Sequence, residues 1–586
     1  MKDNNLSLSH FFAQQTSSFF YKTLIKIADK LLGIDKLNYL YQCHDFNGLS
    51  PNEFTQKFIQ VFDLDIKVLG YDLTQIPKDK AIIIVANHPF GGIEGVILTH
   101  VISQYRPDLK VLANRGLSIF KELSPYFIFT NPLKVGASGN LESIKSCKKH
   151  LDSNGALVLF PAGRVSYFRK DLGYITDHNW HRSLAYLAKN TGADILPLYI
   201  TGKNRSRFYH LGKIYFRFRL LMLIREMLAA KGKAVPMTFA NKTFKLPEAT
   251  SSQAATDLVR LSTYLLNPEY QQAWTASLTD KIELALAPYI CPNLLDAEIK
   301  NLNSNQKLAS HKHFSVYYAN YDQIPNLVEE IRIRREETFR LYKEGSGQPQ
   351  DGDELDKVYT HLFVFDHDEN AVVGAYRMGQ TDLIQQNKAC SGLYLSQMFD
   401  FGQKFINQTQ ACLEMGRSFI LPKYQKSYYS LLLLFKGIAH FVNQKPEYQT
   451  LYGTVSLSTE YEKLSVYLIE RFLVTDSKDV TPKQAFNYPP VPELDSYLNQ
   501  YPKDIASLEW LIKQIEPDGK GLPVLLKQYY QLGAKFHCLG IDPNFAQTPG
   551  LLLSVHLPSA PERLLKLYLG SELPNYLTKV NKILAE

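Results

Sequence analysis

Between about residues 80 and 245 the chain alternates short apolar runs with longer stretches of helical periodicity. The runs 81–86 (Ala-Ile-Ile-Ile-Val-Ala), 155–160 (Gly-Ala-Leu-Val-Leu-Phe) and 194–200 (Asp-Ile-Leu-Pro-Leu-Tyr-Ile) are too short for helices. Each is bounded by turn-forming residues, so each predicts a buried strand. Strands apolar on both faces, separated by helices, predict an α/β domain with a largely parallel sheet. Helix-like stretches follow at 251–266 and 275–286, and the polar segment 296–313 reads as a linker. A second pattern starts beyond it, with a charged amphipathic helix at 324–341, a hairpin from 361–366 and 371–378, a strand at 413–420 and a helix at 427–442. The expected organisation is therefore two α/β domains, 1–300 and 313–586.

Composition narrows the class. A chain of 586 residues exceeds one hydrophobic core, and 45% hydrophobic with 21% charged residues is ordinary for globular protein. Six cysteines without paired spacing read as free thiols in a reducing compartment. The first residues lack a secretory pattern, and no window of about eighteen apolar residues suits a membrane span. Segment 11–32 carries apolar residues at helical spacing beside Lys22, Lys26 and Lys30, which fits a helix packed on its own domain or one lying in a membrane interface. Segment 203–233 holds nine Lys or Arg against one acid, Glu226, around an apolar strip. So one-signed a run suits an anionic membrane surface or an acidic carrier protein. No nucleic-acid module accompanies it, so nucleic acid is not an expected partner. The net charge of +8 fits all these readings and selects none.

The densest chemistry lies in Asn87-His88-Pro89-Phe90-Gly91-Gly92-Ile93-Glu94, where the first predicted strand ends. Strand ends are where sheet enzymes hold their reactive groups. A histidine held by a carboxylate takes a proton from an attacking hydroxyl, so His88 reads as general base and Glu94 as its orienter. Gly91 and Gly92 are expected to bring backbone N–H donors to a developing oxyanion. A second block, Phe160-Pro161-Ala162-Gly163-Arg164, closes the second strand. In the C-terminal half, Glu414 is the candidate base or amine-holder. Arg417 is expected either to pair with a substrate carboxylate or to organise the nearby acids; a structural Glu414–Arg417 ion pair is the competing reading. No metal site is expected.

The ordered blocks strand–His-x-acid, strand–Phe-Pro-x-Gly and strand–Pro-Leu resemble the glycerolipid acyltransferase family, which contains lysophosphatidic acid acyltransferase. Most of that family keeps four residues between the His and an Asp. Here five separate His88 from Glu94, Ile93 holds the usual acid position, and Ala162 replaces the family's Glu. This variant resembles a bacterial sub-branch often labelled hemolysin-like.

The second half, through Arg335-x-x-x-Phe339, Asp353-Glu354-x-Asp356, Gly374-x-Tyr376-Arg377 and Glu414-x-Gly416-Arg417-Ser418, resembles the GNAT superfamily. Within it, the likeness is to ornithine N-acyltransferases and acyl-homoserine-lactone synthases. Their acyl donor is acyl carrier protein. Segment 425–430 (Gln-Lys-Ser-Tyr-Tyr-Ser) has no glycine to cradle a CoA pyrophosphate, which favours the same donor.

The fusion resembles the bifunctional ornithine lipid synthases. That resemblance implies transfer of a 3-hydroxyacyl group from acyl carrier protein to the α-amine of ornithine, then O-acylation of the lyso-ornithine lipid. It also implies Gly163, Arg164 and Arg115 as acceptor contacts, and Arg335, Phe339, Asp353, Asp356, Arg377, Arg417 and Ser418 as substrate contacts in the second site. No bound cofactor is implied. The implied location is peripheral, at the cytoplasmic face of the bacterial inner membrane. Alternatives are the same machinery on glycine or lysine, a lysophospholipid acyltransferase fused to another N-acyltransferase, and a non-catalytic hemolysin-like membrane binder.

Overall fold

The computed structural model describes residues 6, 19–130, 138–214, 216–249, 251–270, 283–387, 392–402, 405, 411–475, 479–487, 494–495, 498–499, 501 and 503–585. The chain divides into two compact units, 1–273 with 491–502, and 274–490 with 503–586.

The first unit is built on a seven-stranded sheet. Its strands are Asp65–Leu69 (β1), Ile82–Ala86 (β2), Lys110–Asn114 (β3), Phe127–Thr130 (β4), Ala156–Leu159 (β5), Asp194–Ile200 (β8) and Ala234–Phe239 (β9), in the order β1-β9-β8-β2-β5-β3-β4. Every pairing is parallel except β8 with β9. Tyr167–Arg169 (β6) and Tyr174–Thr176 (β7) form a separate antiparallel ribbon. All five residues of β2 are buried, and β8 and β5 flank it at the centre of the sheet. Parallel order brings the ends of β2, β5 and β8 to one edge, and that edge carries the first site.

The second unit holds an eight-stranded sheet of Lys307–His311 (β10), Phe314–Ala319 (β11), Thr360–Asp366 (β12), Ala371–Gln380 (β13), Cys412–Ile420 (β15), Thr450–Ser456 (β16), Lys535–Asp542 (β18) and Thr548–His556 (β19). Phe399–Phe401 (β14) and Val480–Pro482 (β17) make a small side ribbon. Within the large sheet only β15 and β16 pair in parallel. Their register runs from Cys412↔Thr450 to Met415↔Gly453 and stops there. Beyond that point β15 stays with β13 and β16 with β19, so the two strands separate. A Cβ on Gly453 would collide with the Met415 carbonyl, which is why this last close pairing needs glycine.

Both units are α/β, the first with a largely parallel sheet, as the sequence predicts. The expected linker at 296–313 is corrected: it contains the end of the helix Pro292–Lys300 and the strand β10. Glu298 of that helix accepts hydrogen bonds from the backbone N–H groups of Asn326 (2.9 Å) and Leu327 (2.8 Å), anchoring it to the helix Pro325–Arg340. The helix expected at 275–286 falls largely outside the described residues, and 283–290 is neither helix nor strand. Segment 11–32 is helical over Phe19–Leu32, and 11–18 lies outside the described residues. Among the described residues no helix is long and apolar enough to cross a membrane.

Candidate functional sites

β2 ends at Ala86, and Asn87 locks that end to β8 by donating to the Ile200 carbonyl (3.0 Å) and accepting from its N–H (2.7 Å). His88 follows, its ring packed on Phe160 at the end of β5 with centroids 4.6 Å apart. The chain then turns through Gly91, at φ 99°, into the buried helix Ile93–Ser103. A side chain on Gly91 would strike Val165, so both conformation and space require glycine.

Glu94, on the first turn of that helix, is buried with Oε1 3.3 Å from His88 Nδ1. This leaves Nε2 as the imidazole nitrogen available to a substrate. Burial opposes the charged imidazole, but the carboxylates of Glu94 and then Asp177 outweigh it and raise the His88 pKa above its ordinary value. Burial likewise opposes the Glu94 anion, yet His88 and the surrounding amides hold its pKa below the usual carboxylate range.

Those amides correct one expectation. The backbone N–H groups of Phe90 (2.6 Å), Gly91 (2.8 Å) and Gly92 (2.9 Å) all donate to the Glu94 carboxylate. Gly91 and Gly92 are thus not aimed at a reacting oxygen. They stabilise the anion that orients His88, because a buried carboxylate must be paired and hydrogen-bonded.

Sequence reasoning missed Asp177. This fully buried carboxylate accepts from the His88 backbone N–H (3.2 Å), the Ser166 hydroxyl (2.5 Å) and the Trp180 indole N–H (3.1 Å). Ser166 in turn donates its N–H to the His88 carbonyl (2.8 Å). His88 is therefore clamped on both backbone sides. No spacing near Thr176-Asp177-His178 marks that role.

Gly163 closes the turn after β5 by donating to the Phe160 carbonyl (2.9 Å). Arg164 lines a separate cavity of about 450 Å³ with Lys170, His178, Lys213 and Arg219, and no carboxylate lines it among the described residues. Burial, then the charges of Arg219 and Arg164, push His178 down to about 4, so the positive charge there belongs to the arginines and lysines. Arg115 opens a short 3₁₀ turn, and its side chain lies outside the described ones. Within the basic run, Arg205 pairs with Glu226 (2.9 Å), Lys213 lies over Phe168 and Arg219 over Tyr167, whereas Lys203, Arg207, Lys231 and Lys233 are exposed.

The second site fills the gap where β15 and β16 part. Opposite Tyr376 on β13, two residues of β15, Arg417 and Ser418, occupy the place of one. This bulge, with Arg417 at φ 51°, turns consecutive residues of β15 into the cavity. Glu414 is buried there and accepts from the Tyr359 hydroxyl (2.9 Å), the Leu395 N–H (3.3 Å) and the Tyr452 hydroxyl (3.3 Å). Burial pushes its carboxyl up to about 7, only partly opposed by those donors and by Arg377. A group balanced between acid and base near neutrality suits proton acceptance from an amine.

Arg417 donates to the Tyr394 hydroxyl (3.0 Å), and its Nε sits 3.7 Å from Asp351. It does not pair with Glu414, so the ion pair considered from the sequence is absent. Phe339, Arg377, Arg417 and Ser418 line the cavity together with Glu414. Arg335, Asp353 and Asp356 do not line it. Arg335 bonds Asp351 (2.7 Å) and Asp356 (3.2 Å), while Arg377 bonds Asp353 (2.6 Å) and Asp356 (3.1 Å). Burial opposes the Asp356 anion, but Arg335 and Arg377 hold its pKa far below the usual range. These acids fix Arg335 behind the cavity wall and hold Arg377, which lines it, from behind. The phenols Tyr359, Tyr394 and Tyr452 were not singled out from the sequence.

Residues 17–272 match the family described as Acyltransferase, and residues 334–435 match the Acetyltransferase (GNAT) domain. The chain is thus an acyltransferase, with an acyltransferase domain toward the N-terminus and a GNAT domain toward the C-terminus. It is similar to the lyso-glycine lipid O-acyltransferase of Bacteroides thetaiotaomicron, at 26% identity over 235 residues, covering 39% of this chain and 83% of the relative. The lyso-glycine lipid O-acyltransferase of Phocaeicola vulgatus is 28% identical over 193 residues, 32% of this chain and 67% of the relative. The glycine N(alpha)-acyltransferase of Phocaeicola vulgatus is 24% identical over 294 residues, 47% of this chain and 90% of the relative.

Proposed function

We propose that this chain builds a two-chain aminolipid, the C-terminal domain N-acylating an amino acid and the N-terminal domain O-acylating the product. The observation that carries the reading is the cavity between β15 and β16, where Glu414 is the one carboxylate among the described lining residues. There the amine loses its proton to Glu414 and attacks the acyl thioester. The C–N bond forms, the C–S bond breaks, the thiol leaves with the second proton shed by the nitrogen, and Glu414 returns the first to solvent. In the first domain His88 Nε2 takes the proton of the lyso-lipid hydroxyl as the new C–O bond forms and the second thiol departs. Glu94 stabilises the imidazolium in between.

Glycine is our proposed head group, in place of the ornithine implied by the sequence resemblance. Ornithine would bring a second ammonium, and a buried charge needs its own partner. With one carboxylate on the lining, engaged by the reacting amine, the cavity suits an amino acid without a charged side chain. The names of the similar proteins favour the same choice. The Arg164 cavity, lined by four Arg and Lys side chains, is the proposed seat of the lyso-lipid carboxylate.

Acyl carrier protein is the proposed donor for a 3-hydroxyacyl group. The helix Tyr428–Gln444 starts without a glycine, and the Tyr429 N–H is taken by Ser427 (3.3 Å), which leaves a poor pyrophosphate cradle. Exposed lysines and arginines at 203, 207, 231 and 233 support peripheral binding to an anionic membrane surface, which we place at the cytoplasmic face of a bacterial inner membrane. Fusion keeps a poorly soluble intermediate at high local concentration.

Lipid extracts from a host expressing the chain test the whole reading. A two-chain N-acyl-glycine lipid, read by mass spectrometry, is the expected product. A lipid carrying ornithine would overturn the head-group choice, and no new aminolipid at all would overturn the function.

A further inference from the structure

The cavity of the GNAT domain is polar at one end and apolar at the other. Glu414, Arg377, Arg417, Tyr359 and Tyr394 form the charged end. The other end is walled by Phe435, Ile438, Leu532, Leu553 and Val555. Three hydroxyls interrupt that apolar wall. Tyr376 of β13 and Tyr529 of the helix Val524–Gln531 place their oxygens 3.2 Å apart, and Ser418 stands opposite Tyr376 in the bulge of β15. All three residues line the cavity.

Their hydrogen-bonding capacity exceeds what they use on one another. Three hydroxyls bring three protons, the Tyr376–Tyr529 contact consumes one, and two donors with several lone pairs remain. Phenylalanine would fill nearly the same space without a polar group to desolvate. A ligand group that both donates and accepts fits what is left over, and a hydroxyl on an apolar chain is such a group.

We propose that Tyr376, Tyr529 and Ser418 select acyl donors whose chain carries a hydroxyl near the thioester. The charged end holds the amino acid, so what enters the apolar end is the acyl chain, and its hydroxyl meets the trio while the thioester carbonyl stays toward Glu414. This rests on the proposed N-acyl transfer at Glu414 and adds the residues that read the donor. None of the three takes part in proton transfer; they act on which donor is held.

The test uses the full-length protein with glycine and two donors, 3-hydroxymyristoyl- and myristoyl-acyl carrier protein. Wild type should favour the hydroxylated donor in kcat/KM by about tenfold, which corresponds to about 1.4 kcal/mol. Tyr529→Phe and, separately, Tyr376→Phe should bring that ratio toward one. The ratio is the readout because a purely structural defect lowers both donors together. N-acylation by wild type with equal kcat/KM for the two donors overturns this inference and leaves the transfer reading standing. So does a full preference retained in both phenylalanine variants. No N-acylation with either donor overturns the transfer reading itself.

Discussion

Glu414→Gln separates a catalytic carboxylate from a structural one, because its effects on rate and on stability should have opposite signs. Folded, Glu414 keeps its proton up to about pH 7, against an ordinary value of 4.5. Between those values the folded state binds more protons than the unfolded chain, so stability falls as pH rises through that window and is level above it. At 1.36 kcal/mol for each pH unit, the loss is about 3 kcal/mol. Glutamine keeps a carbonyl for Tyr359 and the Leu395 N–H and offers Tyr452 an N–H in exchange. The substitution should therefore cost about 1 kcal/mol in hydrogen bonding. At pH 5 the variant should be slightly less stable than wild type, and at pH 8 more stable by about 2 kcal/mol. Urea unfolding of the full chain at the two pH values measures this. Removing the proton acceptor should meanwhile lower kcat for N-acylation by about 10²–10⁴-fold. Wild-type kcat/KM for N-acylation should rise with pH to a limb near 7, and the variant should lack that limb. A glutamine variant that acylates at the wild-type rate, or one that loses stability at pH 8, would refute the reasoning.

Further outcomes follow from the other geometry. His88→Ala should abolish O-acylation and leave N-acylation intact, so expressing cells should accumulate the one-chain lipid in extracts. Asp177→Asn should weaken the clamp on His88 without touching substrate. The expected result is a fall in O-acylation kcat larger than any rise in KM; an unchanged kcat would remove Asp177 from the site. The N-acylation step should show higher kcat/KM with an acyl carrier protein thioester than with the matched CoA thioester, and a CoA preference would exclude the proposed donor. Changing exposed Lys203, Arg207, Lys231 and Lys233 to Gln should weaken co-sedimentation with anionic vesicles at least tenfold, since each cation near such a surface contributes about 1 kcal/mol. Wild-type binding by that variant would place the membrane contact elsewhere.

The His88–Glu94 pair was legible because both partners lie in one turn at the end of a strand whose apolar run marks itself. Asp177 was not, since it reaches His88 from 89 residues away and belongs to no periodic pattern. The direction of the Gly91 and Gly92 amides was equally hidden: sequence reports that backbone approaches closely there, not what it approaches. Glu414 stood out as an acid inside an apolar strand, whereas the two phenols holding it, Tyr359 just before β12 and Tyr452 on β16, lie far from it in a chain with 36 tyrosines. The polar stretch 296–313 suggested a linker because β10 is an edge strand, and edge strands carry polar residues on an exposed side. The Asp353–Asp356 acids suggested substrate contacts, but the loop folds inward onto Arg332, Arg335 and Arg377, where paired burial replaces solvation.

On the proposed function, the two glutamates account for the use of different bases in the two halves. A hydroxyl holds its proton far more tightly than an alkylammonium, so O-acylation calls for a base that acts during attack and an anion that steadies the charge it gains. Glu94 supplies the anion: three backbone amides and His88 keep it ionised despite burial. So stabilised a carboxylate is a weak base, and the proton goes to His88 instead. N-acylation requires only that an ammonium be relieved of its proton before attack. Glu414, held by neutral phenols and a single amide residue rather than by a cation at bonding distance, stays close to the balance point at about 7. On that reading the same side chain orients in one domain and accepts a proton in the other, and the number of N–H groups and cations turned toward it decides which.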